Sequence, residues 1–90
     1  MNTKWYLGLI LVLIAMSAQA VHPDELAQGE QKAVTRCTVN QENLVCVIVQ
    51  YKNETYSIAG FVKGQDFYAR YVGKQVSGKW VIVWSYGGGI

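Results

Sequence analysis

The chain has 90 residues, with eight Lys and Arg, six Asp and Glu and one His, and its net charge is +2 at neutral pH. Ninety residues allow one domain, and this charge is too small for phosphate-driven binding of nucleic acid, which needs many basic side chains on one face. Two cysteines and a single histidine also leave no ligand set for a zinc site. We therefore expect neither a nucleic-acid partner nor a bound metal.

Residues 1–20 have the three parts of a secretory signal peptide. One basic residue, Lys4, precedes an apolar run at residues 5–16, and small side chains follow at Ala18 and Ala20. The run is shorter than the about 20 residues that span a hydrocarbon core. We expect cleavage after Ala20, a secreted or periplasmic location and no stable membrane anchor. An uncleaved signal anchor is the alternative.

Residues 21–33 form a polar N-terminal arm. Pro23 with the acidic pair Asp24 and Glu25 could open one helical turn, since proline and acids suit a helix start. Gly29 would close that turn. The composition is more typical of a loosely ordered arm, which is the interpretation we adopt.

Residues 34–90 read as a single β domain, because β-branched and aromatic runs alternate with turn-forming residues. Short strands with short connections predict an all-β fold, a five-stranded antiparallel meander. The meander should curl into a barrel or half-barrel, because closure hides unpaired edges. The predicted strands are 34–39, 44–51, 55–62, 67–72 and 80–86, and the predicted turns are 40–43, 52–54, 63–66 and 73–79.

The two cysteines, Cys37 and Cys46, predict a disulfide, as expected for an exported chain in an oxidising compartment. A turn at residues 40–43 would place them directly opposite each other across the first hairpin, at a non-hydrogen-bonded pair. The alpha carbons of such a pair approach to about 4.5 Å, which a disulfide can bridge.

The sequence gives little support for catalysis. The single histidine, His22, lies in the arm, where a mobile ring is a poor general base. Both cysteines are used by the disulfide, and the carboxylates are spread over the arm and the turns. No glycine-rich phosphate cradle occurs, so nucleotide binding has no support. We predict that the protein is not an enzyme and binds no cofactor.

The strands carry apolar side chains on both faces, whereas a half-buried strand should alternate apolar and polar residues. One small sheet cannot bury both faces alone. Three alternatives could cover the second face: the curled sheet together with the N-terminal arm, a second copy of the chain, or a different partner.

The last predicted strand suggests an outward aromatic strip of Trp80, Trp84 and Tyr86, which share one parity. Aromatic rings with a polar atom are favoured at interfaces. Tyr68 and Tyr71 on the preceding strand have opposite parities, so only one of them can join the strip. We take Tyr71 as that residue, and Lys79 would add a positive rim. The alternative is that both tryptophans fill the core.

These features predict an exported small protein-binding module, either an inhibitor, an accessory or an assembly component of the periplasm or extracellular space. The expected partner is an unidentified protein or a second copy of the chain. A glycan or cell-wall-binding module is one alternative, because aromatic faces also stack on sugar rings. A self-associating structural domain with no ligand is the other. The predicted binding residues are Trp80, Trp84, Tyr86, Tyr71 and Lys79.

Overall fold

A computed structural model of the protein describes residues 21–87, which form one helical turn and one open sheet of five antiparallel strands. The all-β meander is confirmed, with the strands in the order β1-β2-β3-β4-β5. The predicted signal peptide, residues 1–20, lies outside the described residues. Within residues 21–87, no helix has the length and apolar character needed to cross a membrane. The elements are α1 (Pro23–Leu26), β1 (Glu30–Val39), β2 (Glu42–Tyr51), β3 (Glu54–Lys63), β4 (Asp66–Val76) and β5 (Lys79–Ser85).

The first four strands are longer than predicted because every hairpin turns on two residues. Asn40 and Gln41 both have positive φ, 49° and 69°, and the second and fourth hairpins repeat this pattern at residues 52–53 and 77–78. Paired left-handed residues make the tight turn whose twist matches that of the flanking strands. As a result β4 runs on to Val76, through residues that the sequence had suggested as a loop.

The first hairpin has a different register from the predicted one. Cys37 lies opposite Leu44, and Thr35 lies opposite Cys46, because the turn consists of Asn40 and Gln41 alone. The shift of two residues leaves every side chain on its predicted face. The disulfide between Cys37 and Cys46 is therefore confirmed, although it joins diagonal neighbours whose alpha carbons are 5.9 Å apart.

The N-terminal arm is ordered rather than loose. In α1 the side chain of His22 caps the helix start, where its Nδ1 accepts the Asp24 N–H at 3.0 Å. Leu26 is only 1% exposed and anchors the arm to the sheet. Residues 30–33, which the prediction placed in the arm, belong to β1.

Apolar side chains pack on both faces of the sheet, in two separate clusters. The cluster on the arm side includes Leu26 itself, so α1 covers that face. The cluster on the disulfide side has no covering element among residues 21–87. The buried members on the arm side are Leu26, Val49, Tyr56, Ile58 and Val72, and those on the disulfide side are Leu44, Cys46 and Ala59.

Tyr56 is the one buried titratable side chain of the arm-side cluster. Burial raises the pKa of its hydroxyl above the usual value, and the nearby carboxylates of Glu54 and Glu25 raise it further. The neutral phenol is thus the form that the folded protein favours.

Candidate functional site

A β-bulge divides the predicted aromatic strip. Val72 lies opposite Trp84 and Gly73 lies opposite Ile82, so Val83 is an extra residue in β5. One extra residue reverses the alternation of side chains between the two faces. Trp84 therefore packs with the arm-side cluster, whereas Trp80 faces the disulfide side. The two tryptophans do not form one strip.

The other predicted binding residues are divided in the same way. Tyr71 lines the disulfide-side surface together with Trp80. Tyr86 lines a cavity on the arm side together with Trp84. Lys79 pairs with Val76 beside the last turn and lines neither surface. The structure thus presents two candidate surfaces on opposite faces of the sheet.

Aromatic residues are prominent in the lining of the arm-side cavity, which has a volume of about 640 Å³. The His22 ring meets Trp84 edge-on at a centroid distance of 5.3 Å, and Phe61 stacks on Tyr68 at 5.3 Å. Edge-on and offset-stacked rings are the arrangements that aromatic pairs prefer. We call this group the aromatic cluster; its members are His22, Phe61, Phe67, Tyr68, Trp84 and Tyr86.

The β3–β4 hairpin supplies three of these rings because it extends beyond the rest of the sheet. The pairing of β2 with β3 runs only as far as Val45 and Gly60, so residues 61–68 project as a two-stranded hairpin. Tyr68 is 44% exposed on this projection and Tyr86 is 74% exposed at the end of β5. These rings are outside the core and are accessible to a binding partner.

Gly60 sets the close approach at the base of this hairpin. A Cβ atom at this position would meet the backbone carbonyl oxygen of Tyr68 and would lie 2.9 Å from the Ala69 Cα. Only a residue without a side chain allows this packing. Tyr86 is held separately, by a hydrogen bond from its backbone N–H to the Arg70 carbonyl at 2.9 Å.

Charged side chains also lie around the aromatic cluster. The Asp24 carboxylate lines the cavity and is 94% exposed. Arg70 also lines it, but its guanidinium is paired with Glu42, with Nη1 and Oε1 3.4 Å apart. The Tyr71 hydroxyl donates a hydrogen bond to the same carboxylate at 3.2 Å. The positive charge of Arg70 is therefore already compensated, and the exposed Asp24 carboxylate lies 3.6 Å from the His22 Nδ1.

The disulfide-side surface is a groove with a volume of about 380 Å³. Its apolar floor includes Ile48 and Ile82 beside the disulfide, and the Trp80 ring is 48% exposed at its rim. The alternative in which both tryptophans fill the core is therefore wrong for Trp80, while Trp84 packs partly against the core. The groove is also lined by the polar residues Thr35, Thr38, Asn40 and Ser57.

Phe61 and Phe67 were not among the predicted binding residues, and Tyr68 had been set aside in favour of Tyr71. A signal was present, since large aromatic residues flank the Gly64 turn on both sides. Within residues 21–87, no three His, Cys, Asp or Glu side chains are close enough to hold a metal ion. Comparisons with protein-family models, with curated proteins and with solved structures find no match to this chain.

Proposed function

We propose that this protein is an exported protein-binding module that holds its partner on the aromatic cluster. The observation that carries the proposal is the set of exposed rings around one cavity, at the end of the molecule where the β3–β4 hairpin projects. Tyrosine, tryptophan and phenylalanine are enriched at the centres of protein interfaces. The role is binding and not catalysis.

Export is supported by the signal-peptide pattern of residues 1–20 and by the disulfide, which is typical of oxidising compartments. N-terminal sequencing of the protein recovered from its own host is expected to begin at Val21. Recovery of a chain that still carries residues 1–20 in the cytoplasm would contradict export.

Partner capture tests the binding role. The tagged protein, expressed from its full sequence, is expected to recover one stoichiometric protein from extracts of the exported compartment. Tyr68→Glu should abolish the recovery, because it places a charge among the rings. Val34→Glu is the matched control, since Val34 is 58% exposed on a strand that does not line the cavity. No partner with the wild type, or equal capture by both variants, would refute the proposal.

A glycan-binding role for the disulfide-side groove is the second candidate. It is supported by the exposed Trp80 ring beside hydroxyl and amide groups, since sugar sites combine a ring face with hydrogen-bonding side chains. Cell-wall oligosaccharides should change the tryptophan fluorescence of the wild type and leave that of Trp80→Ala unchanged. Absence of any response over a broad panel would exclude this role.

Curling of the sheet into a half-barrel also belongs to the proposal. It is supported by the groove, whose lining comes from both edge strands, with Thr35 on β1 and Ile82 on β5. The self-associating structural domain is the remaining alternative. Sedimentation of the purified protein distinguishes it, because a dimer that Tyr68→Glu dissociates would make the partner a second copy of the chain.

A further inference from the structure

The disulfide-side groove differs from the aromatic cluster in its charge. Among the described residues, 21–87, none that lines this groove is acidic or basic. Its polar side chains carry hydroxyl groups and one amide, and the rest of the lining is apolar. A charged ligand would lose hydration there and would meet no opposite charge. The volume of about 380 Å³ is typical of small-molecule sites. The groove therefore favours a small, uncharged ligand.

One row of residues crosses the floor of the groove from β2 to β5. Its members, in the order in which they pair, are Ile48, Ser57, Gly73 and Ile82, and all four line the groove. Paired residues on one face of a sheet lie about 4.5–5.5 Å apart. The Ser57 hydroxyl is thus flanked by apolar side chains, with no side chain at Gly73 to fill the space beside it.

The hydroxyl of Ser57 is available to a ligand. Ser57 is half-buried, and within residues 21–87 its hydroxyl has no hydrogen-bond partner. The hydroxyl of Thr55, two residues earlier on β3, instead donates to the Gln50 Oε1 at 3.0 Å. Polar groups that are removed from water are usually hydrogen-bonded. A ligand with an acceptor oxygen at this point of the row would satisfy the Ser57 hydroxyl.

Trp80 supplies an aromatic ring at one end of the row. Its Cε3 atom lies 3.5 Å from the position that a Cβ of Gly73 would occupy, so the indole packs over the glycine. The residue is nevertheless 48% exposed, which leaves part of the ring open towards the groove that it lines. The face of an aromatic ring carries partial negative charge and attracts the polarised C–H groups of a sugar ring.

We propose that the groove binds a neutral N-acetylated sugar, with the sugar ring on Trp80 and the acetamido group on the row around Ser57. This inference rests on the second candidate function, the glycan-binding role of the groove, and names the class of glycan. The carbonyl oxygen of an acetamido group accepts a hydrogen bond from the Ser57 hydroxyl, and its methyl group packs on an apolar neighbour such as Ile82. The group carries no charge, which matches the uncharged lining.

The test compares three trisaccharides that share one linkage and differ in one substituent. Triacetylchitotriose carries acetamido groups, cellotriose carries hydroxyls at the same positions, and the glucosamine trimer carries ammonium groups. Titration calorimetry of the exported protein gives the affinities, and the NMR shift of the Trp80 indole N–H locates the site. The acetylated sugar is expected to bind about tenfold more tightly than cellotriose, because it adds a hydrogen bond and buries a methyl group. The ammonium trimer should bind most weakly. Equal affinities for the acetylated sugar and cellotriose would overturn the proposal.

Variants separate the hydroxyl from the ring. Ser57→Ala should weaken binding of the acetylated sugar about three- to tenfold and leave that of cellotriose unchanged. Thr55→Val is the matched control, since it removes a hydroxyl of the same strand that already has a partner and does not line the groove. Trp80→Ala should weaken both sugars by the same factor, because each stacks on the ring. Unchanged binding of the acetylated sugar by Ser57→Ala would also overturn the proposal.

The outcome is distinguishable from a failure of the glycan-binding role. Binding of cellotriose and the acetylated sugar with equal affinity, lost in Trp80→Ala, would remove this inference and leave the glycan-binding role. No binding of any trisaccharide would remove the two together. Neither outcome affects the protein-binding role of the aromatic cluster, because none of the substituted residues lines the arm-side cavity.

Discussion

At the scale of single residues, two positions show how the aromatic cluster and the core are built. Gly60 allows the β3–β4 hairpin to close tightly, because its backbone lies against that of β4. Tyr56 contributes its ring to the arm-side cluster and keeps its hydroxyl neutral. The stability of the fold should therefore respond to a Cβ atom added at Gly60 and to loss of the phenol proton of Tyr56.

Gly60→Ala is expected to lower the free energy of unfolding by about 1–3 kcal/mol, because the added Cβ overlaps the backbone of β4. Urea denaturation followed by circular dichroism measures the change. Gly73→Ala is the matched control in the same sheet. Its Cβ would lie 3.5 Å from the Trp80 ring, an ordinary contact, so we expect a change within about 0.5 kcal/mol. Equal losses in both variants would show that Gly60 has no special role.

Tyr56 predicts a loss of stability at alkaline pH. Its pKa is raised in the folded protein by burial and then by Glu54 and Glu25, so the folded chain holds the phenol proton more tightly than the unfolded chain does. The stabilisation is fully present below about pH 10, the pKa of the unfolded tyrosine, and declines as pH rises through the higher folded pKa. Tyr56→Phe should flatten this decline of stability above about pH 10. A profile identical to that of the wild type would contradict the assignment.

At the scale of elements, the short arm around α1 contributes both to the core and to the aromatic cluster. It covers one face of the sheet with a single fully buried leucine, and it also places His22 against Trp84. Gly29 brings the arm close to β2, where a Cβ would lie 2.6 Å from the Val49 Cγ1. The core and the aromatic cluster therefore share one covering element.

Leu26→Ala should lower the free energy of unfolding by about 2–5 kcal/mol, because it empties the contact between the arm and the sheet. It should also move the His22 ring away from Trp84 and alter the tryptophan fluorescence. Gln28→Ala, an exposed position just after α1, serves as the control. An unchanged stability for Leu26→Ala would show that the arm does not hold the fold.

Removal of the disulfide should cost about 2.5 kcal/mol, the loss expected when a loop closed by a separation of nine residues is opened. Thermal unfolding with and without a reductant measures this. The Cys37→Ala/Cys46→Ala double variant should be insensitive to the reductant. A reductant-sensitive double variant, or an oxidised form no more stable than the reduced one, would contradict the estimate.

The sequence predicted which strands form better than it predicted the register in which they pair. Five strands and the disulfide follow from residue types and turn spacing, and both are confirmed. The register of the first hairpin was wrong because the prediction paired residue 40 with residue 43 around a two-residue loop at 41–42, whereas the loop consists of Asn40 and Gln41. The bulge at Val83 was not predictable, because every residue around it is apolar or aromatic and fits either face. Because of this bulge, Trp80 and Trp84 lie on opposite faces of the sheet and the predicted aromatic strip does not form.

At the scale of the whole molecule, the open sheet has two edges and two unequal faces. Both edge strands contain a bulge, at Lys32 in β1 and at Val83 in β5. Bulges disrupt the ladder and disfavour edge-to-edge pairing with another sheet. Exposed rings also lie on the projecting hairpin and at the end of β5, away from the paired length of the edges. This arrangement favours recognition by side chains over recognition by strand addition.

Site-specific photo-crosslinking tests this account most directly. A photoreactive phenylalanine at position 68, introduced into the full chain in its own host, should give one crosslinked protein of defined mass. The same residue at position 34, which is also exposed but lies outside the cavity, should give none. Absence of a product at position 68, or the same product from both positions, would contradict the claim that the aromatic cluster is the binding surface.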